Sequence, residues 1–350
     1  MAPNHGGLNY KALNDAGISP DKVLDFSVSI NPEPLPGEVY EAFRNAPIER
    51  YPDSSSHLLK EEIARAYSLP YEELLVVNGT SQAVFLLAGT FLKEDTPWLL
   101  AGPTYSEYAD ACRLYSKREL RIDSAEEANF RPSPEKLIET LRKERPALLW
   151  LCSPNNPTGH VLAEEDFHRI REAALETNTL FILDEAYRCF MAEEKQYKTE
   201  YPGVVNLRSM TKDFSIPGLR LGYVRASEDV IEQLALRQPE WSVSAPAQEA
   251  GQAALQQLDY FRKTWNTVSR MTEDFRLAVE EAGYQTYPTG SNFFLVKVGD
   301  LDQLKEAFWK EYITVRDCAS FGLKNIMRLG TRTREDNARL IKVLIEERKQ

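Results

Sequence analysis

Four polar loops directly follow apolar segments of the chain, and their side chains are of types that perform chemistry. The loops are 78–81 (Asn-Gly-Thr-Ser), 153–159 (Ser-Pro-Asn-Asn-Pro-Thr-Gly), 184–187 (Asp-Glu-Ala-Tyr) and 209–212 (Ser-Met-Thr-Lys). Each loop alone has an ordinary explanation as a turn, a helix cap or a surface lysine. Their recurrence after consecutive predicted strands favours one shared site, because ligands of such sheets bind at the strand ends.

Together these side chains meet the needs of a cofactor that is a phosphorylated, positively charged aromatic aldehyde. Lys212 supplies an amine that can bond to the aldehyde carbon, and Asp184 supplies a carboxylate for the cationic ring nitrogen. Asn156 and Tyr187 are predicted to donate hydrogen bonds to the ring oxygen, and Tyr105 is predicted to stack on the ring. We predict that Lys212, Asp184, Tyr187 and Asn156 are catalytic.

A cup for the cofactor phosphate is predicted beside these groups. The start of a helix offers backbone N–H groups to a phosphate, hydroxyl groups add donors, and an arginine adds a fixed positive charge. The residues predicted to form the cup are Gly79, Thr80, Ser81, Ser209, Thr211 and Arg220.

The elements that must position these loops alternate between residue 58 and residue 225. Short apolar segments predict strands, and apolar residues at helical spacing predict helices between them. The predicted strands are 74–78, 98–101, 147–152, 180–183, 204–207 and 219–224, and the predicted helices are 58–67, one that begins at Ser81, 106–115 and 164–176. This alternation is typical of an α/β fold with a mostly parallel sheet covered on both faces.

The C-terminal part of the chain has a different pattern, which predicts a smaller α+β domain. Its predicted elements are a helical stretch at 247–283, strands at 293–298, 313–316 and 326–329, and helices at 302–311 and 334–347. We therefore expect three parts: an N-terminal segment (1–40) that packs on the small domain and the active site, a large cofactor-binding domain (41–240) and a small C-terminal domain (241–350).

The loop motifs resemble those of the class I and II aminotransferases, fold-type-I enzymes that depend on pyridoxal 5′-phosphate (PLP). The matching motifs are 153–159, 184–187 and 209–212, with Arg220 eight residues after Lys212, and the resemblance extends over nearly the whole chain. It implies the aspartate aminotransferase fold, PLP as cofactor and the residue roles given above. It also implies a homodimer in which Tyr51 reaches the cofactor phosphate of the partner subunit.

Within this family the chain is most similar to L-threonine-O-3-phosphate decarboxylase of cobalamin biosynthesis, and next to histidinol-phosphate aminotransferase. Segments 24–32, 48–53, 239–244 and 315–319 resemble those of the decarboxylase. The resemblance implies decarboxylation of O-phospho-L-threonine to (R)-1-amino-2-propanol O-2-phosphate. The alternatives are a histidinol-phosphate or related amino-acid aminotransferase and a lyase for phosphoserine, since a methyl group contributes only about 1–3 kcal/mol of discrimination.

A phosphorylated amino acid carries a carboxylate and a phosphate, so its site needs cationic groups besides Arg220. The resemblance assigns Arg328 to the substrate carboxylate. The residues expected around the substrate phosphate are Arg316 and Arg332, with His5, Ser29 and Asn31 closing from the N-terminal segment.

Composition limits the classes of partner. The 350 residues include 42 Lys and Arg against 53 Asp and Glu, a formal net charge of −11, which is unsuited to binding a nucleic-acid backbone. We see no run of 18 apolar residues and no secretory signal, so we expect a cytoplasmic protein without membrane contact. The four cysteines and four histidines have no metal-binding spacing, so we expect no metal ion. A non-enzymatic PLP-fold regulator is disfavoured, because such proteins carry a basic DNA-binding domain before this fold.

Overall fold

The structure, a computed structural model, describes residues 6–349. Its strands are β1 (Leu24–Asp25), β2 (Leu74–Val77), β3 (Trp98–Gly102), β4 (Glu119–Asp123), β5 (Leu148–Cys152), β6 (Leu180–Asp184), β7 (Val204–Ser209), β8 (Gly222–Arg225), β9 (Gln285–Thr286), β10 (Phe293–Lys297), β11 (Ile313–Thr314), β12 (Arg316–Asp317) and β13 (Ile326–Gly330).

Helices connect and cover these strands. They are α1 (Tyr10–Asp15), α2 (Gly37–Arg44), α3 (His57–Tyr67), α4 (Gly79–Phe91), α5 (Glu107–Arg113), α6 (Pro134–Glu144), α7 (Glu164–Glu176), α8 (Glu228–Ala235), α9 (Ala245–Gln256), α10 (Leu258–Glu281), α11 (Leu301–Lys310) and α12 (Arg334–Arg348). None of these helices in residues 6–349 has both the length and the apolar character needed to cross a bilayer.

Seven strands form the central sheet, in the order β2-β8-β7-β6-β5-β3-β4. Strands β3 to β7 run parallel to one another, while β8 lies antiparallel between β2 and β7. The prediction of a mostly parallel sheet in an α/β fold is therefore confirmed. Because parallel strands all end at one edge of a sheet, the loops that follow β5, β6 and β7 lie side by side.

Helices cover both faces of the central sheet. Trp98 and Leu100 of β3 pack in a core with α4, α5 and α8, and Leu99 packs on the opposite face in a core with α6 and α7. All residues of β3 and β5 are consequently buried. This burial explains why these strands are continuously apolar in the sequence instead of alternating.

A second sheet, β12-β13-β10-β9, is antiparallel throughout and shares a core with α10, α11 and α12. The N-terminal segment lies along it. β1 pairs with β11, and the carbonyl of Phe26 accepts a hydrogen bond from the N–H of Gly330 (2.9 Å). The chain then continues to Asn31, whose N–H donates to the carbonyl of Lys212 (2.8 Å). The N-terminal segment therefore contacts both the second sheet and the loop after β7.

Three predicted elements were wrong in their bounds. The strand predicted at 219–224 begins at Gly222, because 217–219 forms a 3-10 turn and Arg220 has a left-handed backbone (φ +56°). The strand predicted at 313–316 is divided between β11 and β12, which belong to different sheets. The helical stretch at 247–283 is two helices, α9 and α10, that meet at Gln257.

Candidate active site

A cavity of about 110 Å³ lies where the parallel strands of the central sheet end. Cys152 ends β5, Asp184 ends β6 and Ser209 ends β7. The loops that follow bring most of the predicted cofactor residues to this one cavity. The predicted residues that line it are Thr80, Ser81, Tyr105, Asn156, Asp184, Tyr187, Thr211, Lys212 and Arg220.

Lys212 enters this cavity from the loop after β7. Its Nζ lies 3.4 Å from Ser209 Oγ and 5.2 Å from the centre of the Tyr187 ring. The side chain is half-buried. A primary amine held in such a cavity is suited to form a covalent bond with an aldehyde.

The Asp184 carboxylate lies at the bottom of the cavity and is buried. It accepts hydrogen bonds from the Tyr108 hydroxyl (2.7 Å) and from the N–H of Ala186 (2.9 Å). Burial raises the pKa of Asp184, while the Tyr108 hydrogen bond and the nearby Lys212 act to lower it. A buried carboxylate with few partners favours a cationic ligand beside it.

Sequence reasoning missed Tyr108. The residue lies in the first turn of α5, is 1% exposed, and stacks on Trp150 with 5.1 Å between ring centres. The Tyr105 and Tyr108 rings pack edge-on, with 5.5 Å between ring centres, so the nearness of Tyr108 to Tyr105 in the sequence is the signal that could have found it.

The start of α4 and Arg220 form a cradle beside the lysine. Gly79 has φ +68°, and a Cβ on it would lie 2.7 Å from Arg220 Nη2, so the backbone passes directly against the guanidinium. Ser209 Oγ and Thr211 Oγ1, from the loop that carries the lysine, lie 2.7 Å apart. Hydroxyls, a helix N-terminus and a guanidinium together form an anion site.

Two further predicted residues, Asn156 and Tyr187, line the same cavity. Tyr187 is buried and packs edge-on against Phe293, with 4.8 Å between ring centres. Asn156 Oδ1 accepts a hydrogen bond from Arg328 Nη1. Because this contact occupies the Asn156 oxygen, the amide nitrogen is the group that can donate to a ligand.

A second cavity of about 260 Å³ adjoins the first and shares Lys212 with it. Arg328 of β13 lies at its wall, 5% exposed, with Nη2 donating to the carbonyl of Ser27 (2.6 Å). Its Nε is buried and has no hydrogen-bond partner among the described residues. Arg328 therefore retains one buried donor that no described residue satisfies.

Arg316 lies directly opposite Arg328 in the pairing of β12 with β13. It is 7% exposed, and its Nη2 donates to Ser320 Oγ (2.8 Å). Burial and the neighbouring Arg328 lower the pKa of Arg316. Two buried guanidinium groups side by side favour the binding of anions between them.

The N-terminal segment closes one side of this second cavity. Ser29 lines it, and its buried Oγ has no hydrogen-bond partner among the described residues. Gly6 also lines it, against the carbonyl of Ser27, where a Cβ would lie only 2.3 Å away. His5, predicted to contact the substrate, lies outside the described residues.

The structure does not place Arg332 and Asn31 among the residues that line this cavity, and their predicted contacts with the substrate stay predictions. β13 ends at Gly330, so Arg332 turns towards α12, where its Nε donates to Asp336 Oδ2 (3.0 Å). The Asn31 amide donates to the carbonyl of Asp213 (3.1 Å) and to Thr264 Oγ1 (2.9 Å). Both side chains are committed to contacts within the protein.

Tyr51 lies on the surface, away from both cavities. Its side chain is 77% exposed and stacks on Trp241, with 4.6 Å between ring centres. Its predicted contact with a partner subunit stays a prediction.

Comparison with known proteins gives the family. The model of the family described as aminotransferase class I and II matches residues 21–344. The chain is 33% identical to the threonine-phosphate decarboxylase of Salmonella typhimurium (97% of this chain, 95% of that protein). It is 32% identical to histidinol-phosphate aminotransferase 2 of Archaeoglobus fulgidus (93% and 94%). The chain belongs to the class I and II aminotransferase family.

Other relatives agree with this family. The structure of histidinol-phosphate aminotransferase from Sinorhizobium meliloti in complex with PLP has a TM-score of 0.85 at 19% identity, covering 99% of this chain and 96% of that chain. The chain also spans 40% of the adenosylcobalamin biosynthesis bifunctional protein CobDQ of Leptospira interrogans, at 30% identity. The fold is that of aspartate aminotransferase, and the cofactor is PLP.

The residues of the first cavity fit PLP. The cradle at Gly79 and Arg220 suits the phosphate, since a Cβ at Gly79 would fill it. The buried Asp184 suits the cationic ring nitrogen, and Lys212 suits the aldehyde. Bound there, PLP withdraws electrons from the bonds at the substrate Cα.

Proposed function

We propose that this PLP-dependent enzyme decarboxylates O-phospho-L-threonine to (R)-1-amino-2-propanol O-2-phosphate, a reaction of cobalamin biosynthesis. The observation that carries the proposal is the pair of buried arginines, Arg316 and Arg328, facing the cavity that contains Lys212. A substrate with a carboxylate on Cα and a phosphate on the side chain supplies one anion for each guanidinium. The identity to the Salmonella decarboxylase supports the same substrate.

Each residue has a proposed task in this reaction. Arg328 binds the substrate carboxylate, since its Nε is a buried donor and it also contacts Asn156. Arg316 and Ser29 bind the substrate phosphate through a guanidinium and a hydroxyl at the far wall. The two contacts together orient the Cα bonds, and orientation decides which bond is weakened.

The cofactor residues supply the remaining groups. We propose that Lys212 bonds to PLP between turnovers and moves a proton at the substrate Cα. Asp184 keeps the ring nitrogen protonated, and Tyr108 keeps Asp184 ionised by donating to it (2.7 Å). Tyr105 packs on the ring face, and Asn156 and Tyr187 donate to the ring oxygen.

A second candidate is the transamination of histidinol phosphate or a related amino acid, because identity to the Archaeoglobus aminotransferase is nearly as high. Histidinol phosphate has a phosphate but no carboxylate. A site for that compound alone gives Arg328 no anion to bind, although an amino-acid partner in transamination supplies one. The two buried arginines therefore favour the decarboxylation, and transamination stays the second candidate.

The experiment that separates the two reactions is incubation of the PLP-loaded enzyme with O-phospho-L-threonine, following CO2 and the cofactor absorbance together. L-Threonine is the matched control, since it lacks only the phosphate. We expect CO2 release from the phosphorylated compound, little from threonine, and no accumulation of pyridoxamine phosphate. Absence of CO2, with pyridoxamine phosphate formed from histidinol phosphate, would contradict the decarboxylase and favour the aminotransferase.

A further inference from the structure

Asn31 makes an unusual set of contacts for a residue of the N-terminal segment. It is 3% exposed, and its main-chain N–H donates to the carbonyl of Lys212 (2.8 Å). Its side-chain amide donates to the carbonyl of Asp213 (3.1 Å), and its own carbonyl accepts from Ser215 Oγ (2.7 Å). One buried residue thus binds three residues of the loop that carries the reactive amine.

The same asparagine ties this loop to the long helix α10. Its Nδ2 also donates to Thr264 Oγ1 (2.9 Å). From the same helix, Trp265 Nε1 donates to the carbonyl of Asp213 (2.8 Å), the carbonyl that Asn31 binds. Two donors from separate segments therefore converge on the carbonyl of Asp213, the residue that follows Lys212.

The N-terminal segment also contacts the substrate side of the site. Four residues before Asn31, the carbonyl of Ser27 accepts from Arg328 Nη2 (2.6 Å). Ser27 Oγ is fixed in turn by donating to Asp25 Oδ1 (2.5 Å). The short segment 27–31 thus has one end on the arginine of the second cavity and the other end on the Lys212 loop.

We infer that Asn31 is a positioning residue for Lys212, and that segment 27–31 sets the distance between the reactive amine and Arg328. Buried hydrogen bonds of this kind hold a group within the few tenths of an ångström that catalysis needs. Asn31 lines neither of the two cavities, and it acts through the main chain of Lys212 and Asp213. The inference rests on the proposed role of Lys212, but not on the choice between decarboxylation and transamination.

The test uses the holoenzyme and the variants Asn31→Ala and Trp265→Phe. Asn31→Ala removes the amide donor to Asp213 and keeps the main-chain bond to Lys212, while Trp265→Phe removes the other donor and keeps most of the ring. Asn337→Ala is the matched control, because Asn337 is also buried and bonded through its amide to main-chain atoms, at Arg332. Thermal unfolding measures the stability lost by each variant.

The readouts are the pH midpoint of the absorbance change of bound PLP without substrate, the dissociation constant of PLP, and kcat/KM. For Asn31→Ala we expect a displaced midpoint and a dissociation constant raised about 10-fold, which corresponds to about 1.4 kcal/mol. We expect kcat/KM to fall by up to about 100-fold, as for a displacement of about 1 Å. Trp265→Phe should displace the midpoint in the same direction, and Asn337→Ala should leave it unchanged.

Two results would overturn the inference. The first is that Asn31→Ala leaves both the pH midpoint and the PLP affinity unchanged. The second is that Asn337→Ala, with the same loss of stability, changes both quantities as much as Asn31→Ala does. Lys212→Ala separates this inference from the proposed function. If that variant keeps the absorbance of lysine-bound PLP, the role of Lys212 is wrong; if it loses the absorbance while Asn31→Ala is unaffected, only the positioning role is wrong.

Discussion

At the scale of single residues, Asp184 and Tyr108 control the charge beneath the cofactor ring. Burial raises the pKa of Asp184, and the Tyr108 hydroxyl opposes this effect by donating to the carboxylate. A hydrogen bond to a charged group contributes about 1.5–3 kcal/mol. Removing this hydrogen bond is therefore expected to raise the pKa of Asp184 further.

Tyr108→Phe is expected to move the acid limb of the pH profile to higher pH, because the active form of Asp184 is the carboxylate. The measurement is kcat/KM as a function of pH. Tyr284→Phe is the control, since Tyr284 also donates a buried hydrogen bond, to the carbonyl of Leu344 (3.2 Å), far from the site. An unmoved acid limb in Tyr108→Phe would exclude this role.

The three arginines of the substrate prediction can be tested against each other. Arg316→Gln and Arg328→Lys each remove a charged hydrogen bond worth about 1.5–3 kcal/mol, so kcat/KM for O-phospho-L-threonine should fall about 10- to 100-fold. Arg332→Gln breaks a partly exposed ion pair with Asp336, worth about 0–1 kcal/mol, and a long contact with the carbonyl of Asp25 (3.4 Å). We expect unchanged PLP absorbance in all three variants. Equal effects at Arg332 and Arg316 would contradict the double-anion site.

The residues at strand ends could be predicted from the sequence, and those with partners distant in the chain could not. Lys212, Asp184 and Asn156 follow apolar strands, and the topology of a parallel sheet brings such positions together. Asn31 was predicted to contact substrate. Its actual partners, Asp213 and Thr264, are 182 and 233 residues away, and no local pattern indicates them.

At the scale of elements, the start of α4 depends on the backbone of Gly79. A left-handed conformation costs a residue with a side chain about 1–2 kcal/mol. In addition, a Cβ at this position would displace the Arg220 guanidinium. Gly79→Ala should therefore raise the dissociation constant of PLP at least about 10-fold. Gly218→Ala is the control, because Gly218 lies in the same region with nothing within 4 Å of its Cβ position.

Fluorescence titration of the apoenzyme with PLP measures both constants. If the cradle holds the cofactor phosphate, we expect Gly79→Ala to bind PLP more weakly than the wild type and Gly218→Ala to bind it equally well. If both variants bound PLP like the wild type, the phosphate would not lie against α4.

Element bounds were predicted well where burial is uniform and poorly where the chain turns. The apolar strand β5 was predicted within one residue of its observed bounds. The predicted strand at 313–316 is instead two short strands, because the chain leaves β11 and enters the other sheet as β12 at Arg316. This turn carries Arg316 opposite Arg328, and only the tertiary structure shows that pairing.

At the scale of the whole molecule, one surface feature bears on how two subunits would assemble. Tyr51 and Trp241 form an exposed aromatic pair, and we propose that Tyr51 contacts PLP across a homodimer interface. In such a dimer each site combines Tyr51 of one subunit with Lys212 of the other. A symmetric pair of shared sites is the usual consequence of an isologous interface.

Subunit complementation tests this proposal. Tyr51→Ala and Lys212→Ala homodimers should each be nearly inactive. After mixing and exchange, half of the dimers are mixed and each has one intact site, so on the order of a quarter of the wild-type activity should return. The two variants kept unmixed are the control. No recovery, in a mixture shown by mass spectrometry to contain mixed dimers, would place Tyr51 at the site of its own subunit.

The most direct test of the account is the position of the covalent bond to PLP. The PLP-loaded enzyme is reduced with borohydride, digested, and the modified peptide is identified by mass spectrometry, with Lys212→Ala treated in parallel. We predict one phosphopyridoxyl group per chain, on Lys212, and none in the variant. A modification on another lysine, or one that persists in Lys212→Ala, would contradict it.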